Sequence, residues 1–83
     1  GRYPVNELIG FVNGNSVRQK VLSLLASKGE MEGKRISKTL RVVYPTIAKT
    51  LEELEEKNLI SKKEEIYFLT ETGTKIEKMV QQI

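Results

Sequence analysis

The run from Val43 to Asn58 constrains the fold of this chain more than any other stretch. Ile47, Leu51 and Leu54 recur at i, i+4 and i+7, one stripe of a 3.6-residue helix. Pro45 fits the first turn, where its missing N–H would be unpaired anyway. Ala, Leu, Lys and Glu fill the body, and all are good helix formers. Asn58 suits the position just past the helix end, where left-handed backbone is common. The spacing predicts Thr46, Lys49, Thr50 and Glu53 on the opposite face, open to solvent. Alone, such a helix is ordinarily a core-packing element, so its neighbours decide its meaning.

Upstream, Val5, Leu8, Ile9 and Val12 form a helical stripe with Phe11 beside it, predicting an N-terminal helix over 4–13. Asn13-Gly14-Asn15-Ser16 is a turn in which Ser16 or Asn15 caps the next helix. That helix, Val17 to Lys28, turns Val17, Val21, Leu24 and Leu25 inward, and Gly29 stops it. Met31 can add an extended residue to a sheet edge. A short helix follows over Lys34 to Arg41, with Ile36 and Leu40 inward. Arg41-Val42-Val43 joins it tightly to the 43–58 helix, a helix-turn-helix pattern.

Beyond Asn58 the period changes. Leu59–Lys63 and Ile66–Thr70 are strand-like, joined at Lys63-Glu64-Glu65-Ile66. Thr70 or Thr72 caps a last helix over 71–83, where Ile76, Met79, Val80 and Ile83 fall at i, i+3, i+4 and i+7. The expected class is α+β, mainly α, in one domain over 1–83. A core over 16–70 holds three helices and a two-stranded hairpin, with additional helices at both termini.

Composition removes most chemistries. The 83 residues contain no Cys and no His, which excludes disulfides, cysteine or histidine zinc sites and imidazole acid–base work. Every acidic group is Glu. Glu52, Glu53, Glu55 and Glu56 do not share one helix face, so they read as a solvated surface that pairs with Lys49 or Lys57 along the helix. An enzyme is not expected, nor a cofactor, a metal or an identifiable small-molecule ligand. No segment approaches the ~18 continuous apolar residues of a membrane span, and no signal-peptide pattern opens the chain. A soluble, cytoplasmic protein with no membrane partner is expected. The chain opens on Gly1, not Met, which fits a fragment or a trimmed chain.

Charge is distributed unevenly. Between Arg18 and Lys49 the bases Arg18, Lys20, Lys28, Lys34, Arg35, Lys38, Arg41 and Lys49 face only Glu30 and Glu32. From Glu52 onward acids predominate. One basic surface is the footprint expected of a nucleic-acid binder. Tyr44, Pro45, Thr46, Lys49 and Thr50 are the candidates for base and phosphate contacts at a positive helix end. Lys34, Arg35, Lys38 and Arg41 are candidates for phosphate contacts, with Lys62 and Lys63 from the hairpin. Leu8, Ile9, Val12, Ile76, Met79, Val80 and Ile83 form two terminal apolar stripes that exceed what three central helices need to bury, so a homodimer interface is expected there; for the N-terminal stripe extra core cover is the equal alternative.

The element order resembles the winged helix-turn-helix domain. Val17 to Leu25 followed by Gly29, then Arg35-Ile36-Ser37-Lys38-Thr39-Leu40, resembles the first core helices of MarR- and ArsR-like regulators, with small archaeal regulators the nearest in flavour. Thr46 to Ile60 looks like their recognition helix running into the first wing strand, and Tyr67 to Gly73 like their last wing strand and final helix start. The resemblance covers roughly residues 15 to 80. It departs where the usual turn Gly is Arg41, the usual capping Ser is Val43, and the wing tip carries Glu64 and Glu65. The function it implies is sequence-specific binding of double-stranded DNA by a transcriptional regulator. The rival is a winged-helix module that binds protein within a transcription or RNA-processing assembly.

Overall fold

A computed structural model describes residues 3–81. In chain order the elements are α1 (Val5–Asn13), α2 (Ser16–Lys28), β1 (Glu30–Glu32), α3 (Gly33–Leu40), α4 (Tyr44–Glu56), β2 (Ile60–Lys63), β3 (Ile66–Leu69) and α5 (Glu71–Gln81). This is a winged helix-turn-helix: α2, α3 and α4 form the helical body, and the β2–β3 hairpin is the wing. The sheet is antiparallel in the order β1-β3-β2. Met31 sits opposite Tyr67, so the extended residue expected at the sheet edge is the middle of a third strand.

Local chemistry sets the boundaries. The Asn15 side chain accepts from the Val17 and Arg18 N–H groups at 2.9 and 3.1 Å and caps α2. Gly29, at φ 89°, ends that helix. Past α4, Asn58 takes φ 61° while Leu59 N–H reaches Leu54 O at 3.0 Å and Asn58 N–H reaches Glu55 O at 2.9 Å. Those two bonds close a left-handed cap, and Leu54 and Leu59, which flank it, are both fully buried. Thr70, not Thr72, caps α5: its hydroxyl accepts from Gly73 N–H at 2.9 Å and donates to Asn58 O at 2.7 Å. The same link ties the end of α4 to the start of α5.

The core is formed by Leu8, Val12, Val21, Leu22, Leu25, Ile36, Ile47, Leu51, Leu54, Leu59, Ile60 and Ile76. Two expectations change here. In α2, Leu22 is buried while Val17 and Leu24 are only half-buried, because α2 packs against α1, α3, α4, α5 and the sheet and is enclosed on several sides. And Leu8, Val12 and Ile76, named for a dimer interface with core cover the alternative for the N-terminal stripe, are 2%, 1% and 1% exposed within one chain. They join α1 and α5 to this core and form no surface open to a second copy. Ile9 and Val80 are half-buried and Met79 is exposed. Ile83 lies outside the described residues.

Candidate nucleic-acid interface

The turn between α3 and α4 is held by one serine. Ser37 accepts the Val42 N–H on its backbone oxygen at 3.1 Å, and its hydroxyl donates to the Val42 carbonyl. Between them Arg41 adopts φ 58°, ψ 42°, the left-handed conformation that glycine takes most cheaply. This fixes the direction in which α4 leaves.

At the amino end of α4 no side chain caps the helix, since Val43 stands at the N-cap. Thr46 and Ile47 N–H groups both donate to Val43 O, at 3.1 and 3.2 Å. Pro45 has no N–H. The Val43 and Tyr44 N–H groups are thus the donors without a partner among the described residues at this helix start. The positive end of this helix offers an anion two donors, fewer than a capless helix usually exposes.

Residue by residue, Pro45, Thr46 and Lys49 are exposed, as expected. Thr50 is not: it is 4% exposed, so its expected place on the solvent face is corrected. At about 100° per residue it lies only about 60° from Ile47 and closer still to Leu54, on the edge of the buried stripe. Tyr44 is 42% exposed and leans inward; a methyl placed on Gly33 would stand 3.6 Å from its ring. The outward face of α4 is therefore Pro45 and Lys49, then Glu52 and Glu56, with Thr46 at its side. Any contact with phosphates belongs to its amino half, because the second half presents carboxylates. A recess of about 330 Å³ beside that half is lined by Pro45, Thr46, Lys49, Thr50 and Glu53 of α4 together with Asn15 and Val17 at the start of α2.

On α3, Lys34, Arg35, Lys38 and the following Arg41 are all exposed. None of these, nor Lys49, forms an ion pair among the described residues. Packing of α3 against α4 brings the two sets of cations onto neighbouring helices. Other bases are taken up internally. The Arg18 guanidinium meets Glu53 at 3.2 Å, donates to Phe11 O at 2.8 Å and lies 3.9 Å from the centre of the Phe11 ring. Lys57 reaches Glu7 at 3.9 Å and sits over Tyr3 and Phe11. Glu53 and Lys57 thus pair across elements, not along α4 as the helical spacing suggests. The spacing signal is present, but Arg18 on α2 takes the Glu53 carboxylate at 3.2 Å.

Lys62 and Lys63 are exposed on β2. Lys62 stands 5.7 Å over the Tyr67 ring. Tyr67 first, then Glu55, hold its ammonium above the usual lysine range. The wing tip is the two-residue turn Glu64-Glu65, with Lys63 opposite Ile66, so two carboxylates project beyond the lysines.

A family model described as the N-terminal domain of the methanogenesis regulatory protein FilR1 matches residues 6–83. Among solved structures, NadR in complex with 4-hydroxyphenylacetate is similar, with a TM-score of 0.77 at 18% identity. That match covers 94% of this chain and 60% of the other, so this chain spans less than two thirds of that structure's length. No curated protein matches the chain.

Proposed function

We propose, because the chain belongs to the family of the methanogenesis regulatory protein FilR1 N-terminal domain, that it is the DNA-binding part of a transcriptional regulator, not an enzyme. It binds double-stranded DNA with the amino half of α4 in the major groove, whose width of about 12 Å admits a helix. Lys34, Arg35, Lys38, Arg41 and Lys49 contact phosphates and set register; Pro45, Thr46 and the residues at the leading end of α4 face base edges. The observation that carries this reading is the row of exposed, unpaired cations on α3 continuing onto Lys49 of α4.

Lys49→Ala tests it. Loss of one phosphate contact weakens duplex binding and reduces the slope of log affinity against log salt by about 0.9. Unchanged affinity and slope would remove Lys49 from the interface. The acidic wing tip favours a second reading, docking on a protein partner; it predicts no duplex binding at any salt concentration.

The regulator acts as a homodimer. Its contact is narrower than the sequence suggests and draws on Met79 and Val5, 39% and 48% exposed, with Ile9 and Val80 at its margin. A two-fold pair places two α4 helices about 34 Å apart, one DNA turn, on a pseudo-palindromic site.

A further inference from the structure

We infer that Val43 is a specificity-determining residue that reads the methyl group of a thymine. This rests on the DNA-binding reading above and names one contact within it. Val43 is 70% exposed, the highest value among the large apolar residues that lie open. A single exposed valine is ordinary on a protein surface. This one is different for two reasons.

The first is its position. Val43 occupies the N-cap of α4, where Ser, Thr, Asp or Asn stabilise a helix and valine is among the poorest choices. The residue that stands there forgoes a cap and exposes apolar area as well, so folding alone does not select it. The second is its rigidity. On one side, Val42 is packed against the core and bonded to Ser37 through both its N–H and its carbonyl. On the other, the Tyr44 ring leans toward Gly33. Val43 lies between two anchored residues and is turned outward, and its own carbonyl is fixed by Thr46 and Ile47.

A rigid, branched apolar side chain at the leading end of a helix in the major groove has one good partner among base edges. The thymine C5 methyl is the apolar group displayed there; guanine, adenine and unmodified cytosine present only donors and acceptors in addition to ring carbon. Burying a methyl against the valine removes apolar area from both partners.

The test begins with a duplex enriched from a random pool by the wild-type chain. Each thymine is then replaced singly by deoxyuridine, which deletes only the methyl. Wild type is expected to lose about three- to tenfold affinity at one thymine position. V43A is expected to bind the thymine duplex more weakly by a similar factor and to lose nothing further on the deoxyuridine duplex. V43S should show the same indifference while its melting temperature rises by several degrees, because serine supplies the missing cap. Circular dichroism confirms that both variants fold. A flat deoxyuridine scan on a tightly bound, enriched duplex overturns the role of Val43 and leaves DNA binding standing. A penalty that persists in V43A also overturns it. Failure to enrich or bind any duplex is a different result: it removes the DNA-binding reading and this inference together.

Discussion

Arg41 keeps a side chain in a backbone region that costs an L-residue about 1–2 kcal/mol. Arg41→Gly should therefore raise the urea midpoint, with a gain of up to about 1 kcal/mol once glycine's looser unfolded chain is discounted. It should also weaken duplex binding, since a candidate phosphate contact goes with it. Arg41→Ala separates the two effects: it loses the charge and keeps the strain. A midpoint in Arg41→Gly no higher than in Arg41→Ala would contradict the strain argument. Gly73 is fixed for the opposite reason. A β-carbon there would stand 1.8 Å from Leu59 O, a backbone atom with no room to yield. Gly73→Ala should destabilise by at least ~2 kcal/mol and lower the melting temperature by roughly 10 °C or more.

At the scale of elements, the wing is held together by pairing and is turned tightly at Glu64, φ 57°, where glycine or asparagine is usual in a two-residue hairpin. Its tip carries Glu64 and Glu65 beyond Lys62 and Lys63, which predicts a small contribution of the wing to phosphate binding. Lys62→Ala with Lys63→Ala should change the salt slope less than Lys34→Ala with Arg35→Ala, a comparison made by fluorescence titration. An equal change would bring the wing onto the DNA backbone. Because the folded pKa of Lys62 is raised, what it contributes to stability is complete below the ordinary lysine value and is lost only as pH climbs through the higher folded one. Denaturation midpoints between about pH 6 and 9 should be the same in wild type and in Lys62→Ala, apart from a constant offset.

These elements were mostly legible in the chain. Ile47, Leu51 and Leu54 gave the buried face of α4, Gly29 and Asn58 marked helix ends, and the change of period after Asn58 marked the hairpin. Pro45, Thr46 and Lys49 were legible as exposed for the same reason. Thr50 was not, because a polar residue on the edge of an apolar stripe is placed by its neighbours and not by its own hydropathy. The Arg18–Glu53 pair, 35 positions apart in sequence, depends on how α2 meets α4, which no local spacing encodes. The burial of Leu8, Val12 and Ile76 is not legible in their stripes, because the size of the core they complete is a property of the assembled helices.

For the whole molecule, the asymmetry of charge becomes a division of labour. Arg18 and Lys57 are enclosed among aromatic rings and carboxylates and hold α1, α2 and α4 together. Lys34, Arg35, Lys38, Arg41 and Lys49 form no ion pair among the described residues. Among the described residues no helix is long and apolar enough to cross a membrane. Association through Met79 and Val5 predicts twice the monomer mass in sedimentation equilibrium at tens of micromolar, and Met79→Glu should return it to the monomer. A monomer alone at that concentration would remove the two-fold arrangement but not the interface on α3 and α4. That interface is tested most directly by titrating the chain with a random-sequence duplex across a range of salt concentrations. The five cations of α3, the turn and Lys49 predict micromolar binding at low salt and a log–log slope of about −4.5. Binding that is absent at every salt concentration, or that does not change with salt, would contradict it.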